Sequence, residues 1–308
     1  MTEIQVNTLQ DVVERIDKAY KLFFKFRDTR KITLPSFKKI YKYKSFTAKQ
    51  SAFRLLDGNR IRIGSRIYKY HKSRNVEGIP KNLIVKRNFN GDIYIFIVAD
   101  LGQQPLIIPR TGKSVGYDFG LKSFLVDQNG NKINAPLFFD LNCKKLRILQ
   151  KKTDKKQLHS NNWKRAMKSV SKMFNKISNQ RKDFHWKTAH EICNKYALIC
   201  VEDLEIETMA KRNGRKIYDL GFADFIRILE QVAAKTGSSV QKIDMLYPSS
   251  QLCSTCGYKN SAIKDLHIRQ WICPQCGTSH DRDINAAKNI LKVGMSTFFG
   301  ETKEDQLL

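Results

Sequence analysis

Through the first thirty residues apolar positions recur at helical spacing. Leu9, Val12, Val13, Ile16, Tyr20 and Phe23, with Thr8 and Asp11 as a start signal, predict an amphipathic helix ending near Thr29–Arg30. From 59 to 110 the repeat shortens to two. Leu83–Phe89 and Asp92–Ala99 flank Asn90-Gly91, a strong hairpin signal, and Ile61, Ile63, Ile67 and Tyr68 suggest further strands. The pattern predicts a helical, basic segment over 1–58 and a small β-barrel-like domain over 59–110, with Arg110–Lys113 as a linker.

After Ser114 the pattern becomes that of an α/β domain. Val115–Gly120 reads as a short strand, and Lys122–Asp127 with Lys132–Pro136 extends it into a meander turning at Asn129-Gly130. Leu141 to about Tyr196 is helical, in two long pieces with a break near His159–Asn162. Ala197–Val201 is a continuous apolar run, typical of a strand buried on both faces, and it stops at Glu202-Asp203. Residues 207–217 are polar and read as a loop; Phe222–Lys235 reads as a helix and Val240–Ile243 as a last strand. Ile284, Ala287 and Ile290/Leu291 place the start of a final helix near Asp281–Asp283. This gives an α/β domain over 114–251, an insertion over 252–279, a final helix over 280–296 and a mobile acidic tail over 297–308.

Charge narrows the partners. Lys and Arg number 56 against 29 Asp and Glu, a net charge of +27. So large a charge repels itself in a compact fold unless a polyanion binds, which makes nucleic acid the leading partner. An anionic membrane surface is the competitor, but the longest apolar run, near Ile93–Ala99, is far too short to span a bilayer. The first thirty residues lack a signal-peptide pattern, and seven cysteines suit a reducing compartment, so a cytoplasmic protein is expected. Two stretches concentrate the charge. Leu34–Phe46 interleaves aromatics with Lys38, Lys39, Lys42 and Lys44, which suits stacking on unpaired bases beside neutralised phosphates; the alternative is a strand whose apolar face is core. Lys144–Lys187 holds fifteen Lys/Arg and two Asp, too one-sided for i,i+4 pairing, and so reads as a phosphate-tracking face. Lys151, Lys152, Arg165, Lys168 and Arg181 are its candidate contacts.

Two CxxC pairs, Cys253/Cys256 and Cys273/Cys276, enclose 16 residues. That spacing suits two cysteine knuckles on one zinc ion. Four thiolates complete a tetrahedron and leave no open position, so the zinc would be structural. Two disulfides, or four unrelated thiols, are the alternative.

Three acids then stand out: Asp118 in the first meander strand, Glu202 at the end of a buried strand, and Asp283 at a helix start. A meander, a helix and a buried strand follow the order of an RNase H-like sheet, in which the first strand and the one after the helix lie side by side. Carboxylates gathered there repel unless divalent cations neutralise them. Two Mg²⁺ (or Mn²⁺) ions on such a cluster suit hydrolysis of phosphodiesters. Asp203 and Asp281 are the rivals; the alternation slightly favours Glu202, and periodicity does not decide between Asp281 and Asp283. The bland alternative for either aspartate is a helix N-cap.

Gly116-Tyr117-Asp118-Phe119-Gly120-Leu121-Lys122-Ser123, Val201-Glu202-Asp203-Leu204, Cys253-Ser254-Thr255-Cys256-Gly257 and Asp281-Arg282-Asp283-Ile284-Asn285-Ala286-Ala287 closely resemble TnpB (OrfB), the transposon-encoded RNA-guided nucleases related to type V CRISPR effectors. Arg181-Lys182-Asp183-Phe184 and Tyr247-Pro248-Ser249-Ser250-Gln251 are similar to it too. The resemblance implies a RuvC-like, Mg-dependent DNA endonuclease with an inserted zinc ribbon and a wedge-type β domain before it. Its partners would be a guide RNA from the transposon end and a double-stranded DNA target. It puts Asp118, Glu202 and Asp283 in the places of the catalytic, metal-holding acids, and Arg282 and Asn285 beside them as nucleic-acid contacts. It also implies that the front is shortened, since relatives carry some tens of residues before the segment like Leu9–Phe46. A non-catalytic RNA/DNA-binding regulator and a guide-independent RuvC-like nuclease are the competing expectations.

Overall fold

The computed structural model describes residues 6–27, 32–37, 39, 42–88, 90–102, 107–265 and 267–300. The chain divides into two compact units, residues 1–105 and 106–308.

In the first unit, helix α1 (Val6–Phe26) packs on strand β1 (Ser45–Lys49), where Arg15 Nη2 donates to Thr47 Oγ1 at 2.9 Å. Strand β1 pairs antiparallel with β5 (Ile79–Arg87), which forms the expected hairpin with β6 (Ile93–Asp100). Strands β2 (Phe53–Leu56), β3 (Arg60–Ile63) and β4 (Arg66–Lys69) make a second three-stranded sheet. Ala48, Ala52, Phe53, Ile61 and Leu83 form the unit's buried core. The β structure thus begins at Ser45 and not at 59, because β1 finds its partner far along the chain, which local periodicity cannot register. Of the described residues of the lysine-rich segment, Leu34, Phe37 and Tyr43 are exposed, and its last two, Ser45 and Phe46, enter β1.

The second unit is built on one five-stranded sheet, ordered β11-β10-β7-β8-β9. Strands β7 (Ser114–Phe119), β8 (Ser123–Asp127) and β9 (Lys132–Asn134) form the antiparallel meander. Strand β10 (Leu198–Glu202) runs parallel between β7 and β11 (Ser239–Ile243). Helices α2 (Phe138–Asp154) and α3 (Asn161–Lys195) form a hairpin, followed beyond β10 by α4 (Ile206–Leu220) and α5 (Phe222–Thr236).

Side chains alternate across a strand, and here the alternation sorts two cores. Val115, Tyr117 and Phe119 of β7, with Ile199 and Val201 of β10, join α3 and α5 in the main core. Leu198 and Cys200 point the other way and pack with Ile243 and Ile290, the last of these on helix α6 (Arg282–Phe299). Rings of Phe119, Phe124, Phe222 and Phe225 interlock at 4.9 to 6.3 Å.

Residues 207–217, expected as a loop, belong to α4. Ile206, Met209, Ala210, Ile217 and Leu220 line one helical face against the core, while Glu207, Thr208, Lys211, Arg215 and Lys216 face water. Arg110 is also no free linker: its N–H donates to Gly237 O at 2.8 Å and its guanidinium to the Cys193 and Asn194 carbonyls. Helix α6 continues to Phe299, through the start of the expected tail, whose residues 301–308 lie outside the described ones. No helix of the described residues is long and apolar enough to cross a membrane.

His185, on α3, is fully buried beside Phe124, with Nε2 at 2.9 Å from the Leu220 carbonyl. Burial pushes its pKa down from 6.5 to about 4. Unfolded chains therefore bind the extra proton first, so this group's contribution is intact above 6.5 and lost as pH falls towards 4. At 1.36 kcal/mol per pH unit the loss reaches about 3 kcal/mol. Thermal melts at pH 7 and pH 4.5 should show it, and His185→Phe should lack that component.

Candidate active site and cysteine cluster

Asp118 and Glu202 have the strand parity of Gly116 and Cys200, so both face α6 and not the main core. The parallel register pairs Val201 with Tyr117, which leaves the two acids one step further on, at the same end of neighbouring strands. Helix α6 crosses this face closely. A Cβ on Gly116 would lie 2.3 Å from Ala287 O, and one on Gly294 would lie 2.4 Å from Cys200 Sγ. Gly116→Ala should therefore push α6 off the sheet, destabilising the unit by about 1–3 kcal/mol, as overpacking does. Denaturant titration checks this.

At the start of α6 the two rival aspartates have different partners. Asp281 is the N-cap, its Oδ1 accepting from Asp283 N at 3.0 Å and Ile284 N at 3.1 Å. Asp283, in the first turn, is left to face the sheet's end and pairs with Arg269 Nη1 at 3.1 Å. Asp203 is exposed and lies off the cleft, whereas Glu202 is half-buried and lines it. Asp118, Glu202 and Asp283 thus line one open cleft of about 630 Å³, together with Ser249, Arg269 and Arg282.

The electrostatics of the cleft are those of crowded carboxylates. Burial, then the charges of Glu202 and Asp283, hold Asp118 well above the usual aspartate range, with Arg282 partly opposing. Burial also raises Glu202, while a hydrogen bond from Ser249 Oγ at 2.7 Å opposes it. An all-carboxylate donor set whose ionised form needs a counter-charge fits Mg²⁺ or Mn²⁺. The acids do not meet at one point. Among the described residues, the cysteines are the only group of three or more donors all within 4.8 Å of one another.

Those cysteines are Cys253, Cys256, Cys273 and Cys276, all free thiols. Sγ separations of 3.6 Å for Cys253–Cys276 and for Cys256–Cys273 exclude disulfides. Sulfurs about 2.3 Å from a tetrahedral ion lie ~3.8 Å apart, so the cluster fits a zinc ribbon. Behind it, strands β12 (Gln270–Ile272) and β13 (Ser279–Asp281) pair, the latter leading into α6. His280 on β13 sets Nε2 3.0 Å from Cys253 Sγ, and its ring lies 4.7 Å from that of Trp271, tilted by 38°.

The basic residues sort differently. Lys151 and Lys152 on α2, and Arg165 and Lys168 on α3, are exposed. In the first unit Lys39, Lys42 and Lys44 are exposed, while Lys38 lies outside the described residues. Arg181 directs Nη1 to the carbonyls of Tyr218 and Asp219 at 2.8 and 3.3 Å, tying α3 to the α4–α5 junction. Arg282 is buried and bonds the Asp265 carbonyl at 2.6 Å. Asn285, expected as a nucleic-acid contact, is 1% exposed with both ends of its amide bonded to backbone, so it is an internal strut. Sequence reasoning missed Ser249, Arg269, His280 and Asn289. Two of them leave a trace there: Ser249 lies in the family-like stretch Tyr247–Gln251, and Asn289 stands one turn beyond Asn285 on the same helical face.

Comparison with known proteins follows this layout. Residues 102–213 match the family described as probable transposase, OrfB_IS605, and residues 222–290 match the Cas12f1-like TNB domain. A putative RNA-guided DNA endonuclease of Streptomyces pristinaespiralis is 31% identical over 70% of this chain and 54% of its own length. The chain is a TnpB-like protein, related to the type V effectors. A putative RNA-guided DNA endonuclease, InsQ, of Escherichia coli K12 is 28% identical, over 93% of this chain and 74% of its own. A solved Cas12f1–sgRNA–target DNA complex aligns with a TM-score of 0.48 at 22% identity, over 68% of this chain and 45% of the other. This TnpB-like chain spans about half the length of the Streptomyces relative.

Proposed function

We propose that this TnpB-like protein is a transposon-associated, RNA-guided DNA endonuclease whose second unit is an RNase H-like, RuvC-type nuclease with an inserted zinc ribbon. The supporting observation is the cleft that Asp118, Glu202 and Asp283 line together, from two neighbouring strands and one helix start. Those carboxylates would hold two Mg²⁺ or Mn²⁺ ions. When bound, such ions supply the activated water and the charge neutralisation of phosphodiester hydrolysis. Ser249 orients the Glu202 carboxylate, and the Arg269 and Arg282 guanidiniums add positive charge where a phosphate would enter. The exposed lysines of the α2–α3 hairpin would hold nucleic-acid backbone while base pairing with the guide reads sequence. The first unit would serve as recognition segment and wedge-type domain. The cysteine cluster would hold one structural zinc, and the protein would work in the cytoplasm.

The test is to purify the chain with RNA transcribed from its transposon end and offer a matched duplex. Cleavage that requires the RNA, complementarity and Mg²⁺ is expected. Steeply salt-dependent binding with no nicking would point instead to a binding regulator, and cutting of bare junctions without RNA to a guide-independent nuclease.

A further inference from the structure

The segment from Pro248 to Ser254 joins the acidic cleft to the cysteine cluster, and buried asparagines on one helix hold it at both ends. At the cleft end, Ser249 Oγ donates to Glu202 Oε1 at 2.7 Å. The carbonyl of the same Ser249 accepts from Asn289 Nδ2 at 2.8 Å. Asn289 Nδ2 also reaches the Leu252 carbonyl at 2.7 Å, which takes a second bond, at 2.6 Å, from Asn285 Nδ2. Asn285 Oδ1 in turn accepts from Ser254 N at 2.9 Å. Asn285 therefore brackets Cys253, binding the residue before it and the residue after it. Both asparagines are buried, at 1% and 3% exposure, and both stand on α6 within two turns of Asp283.

A polar network this buried has few alternative arrangements, since breaking one bond strands another donor or acceptor. A shift of the Cys253 knuckle is therefore passed to Leu252, to Ser249 and to the Glu202 carboxylate, while Asp283 stays fixed to the helix. We propose that Asn285, Asn289 and Ser249 are positioning residues that couple the metal state of the cysteine cluster to the divalent-ion affinity of the acidic cleft. The cluster then acts on the cleft as well as holding its own fold. The proposal rests on the assignment of Asp118, Glu202 and Asp283 as ion ligands.

The test measures Mn²⁺ affinity by electron paramagnetic resonance on the full chain, without nucleic acid, in zinc-loaded and zinc-stripped forms. In the native chain, stripping zinc should weaken Mn²⁺ binding about ten- to a hundredfold, the scale of one lost charge-assisted hydrogen bond. Ser249→Ala, which removes one buried hydroxyl and leaves the backbone carbonyl that Asn289 binds in place, should bind Mn²⁺ about as weakly with zinc as without it. Asn289→Ala should behave in the same way. Unchanged Mn²⁺ affinity on stripping, or a Ser249→Ala chain that keeps the full zinc dependence, overturns the coupling. Asp118→Asn separates the two levels of the argument. If it leaves Mn²⁺ binding intact, the ion-ligand assignment fails; if it weakens binding while zinc and Ser249 have no effect, only the coupling fails.

Discussion

Asp118→Asn should reduce cleavage of a matched duplex by roughly a thousandfold or more while leaving the metal-free protein at least as stable as before. The activity loss follows from the donor set. Removing one of three carboxylates forfeits several kcal/mol of charge stabilisation at the reacting phosphate, and 1.36 kcal/mol is a factor of ten in rate. The stability effect has the opposite sign. Burial and the neighbouring charges of Glu202 and Asp283 raise Asp118, so the folded state holds its proton to higher pH than the unfolded chain does. Stability from this group is thus present at low pH and falls as pH rises above the ordinary aspartate value of 3.8. Asparagine is uncharged and removes that cost. Melting curves at pH 5 and pH 8 in Mg²⁺-free, zinc-replete buffer should show a smaller fall for the variant. Unchanged cleavage by Asp118→Asn would sink the catalytic assignment.

Stripping the zinc should unfold residues near 252–280 before the rest of the second unit loosens. The physical ground is the size of that element's core. Among the described residues there, beside the two buried ligands Cys253 and Cys273, only Ile263, Trp271 and His280 are buried, with Ile268 packed against the apolar cluster. So few apolar side chains cannot offset the conformational entropy of ordering the segment, whereas a structural zinc contributes an apparent 10–16 kcal/mol or so at neutral pH. Hydrogen exchange of the stripped protein should show early loss of protection in β12 and β13, with β7 and β10 still protected. Retained protection across 252–280 with all four thiols free would refute the zinc assignment.

These expectations draw on information that the sequence exposes unevenly. The four cysteines are legible at once, because a knuckle is local and its spacing is its geometry. The hairpin at Asn90-Gly91 and the long helices around the His159–Asn162 break are legible for the same reason. Helix α4 is missed because its apolar positions are diluted by a polar face, and its helical character depends on the core it covers. Strand β1 is missed because a strand needs a partner, and that partner follows three other strands.

By itself, then, the sequence determines the strand-end acids, the cysteine knuckles, the positive charge and the family. Only the tertiary structure decides which carboxylates share a cleft, because that depends on register and parity. The parallel pairing of β7 with β10 sets Asp118 beside Glu202, and Gly116 and Gly294 let α6 close on them. It also separates residues that look alike on paper. Asp281 spends its oxygen capping a helix and Asp283 does not; Asn285 is buried as a strut while Lys168 stays in solvent. The reason is that spacing along a chain fixes which groups a local segment offers, whereas packing fixes which remain free to act.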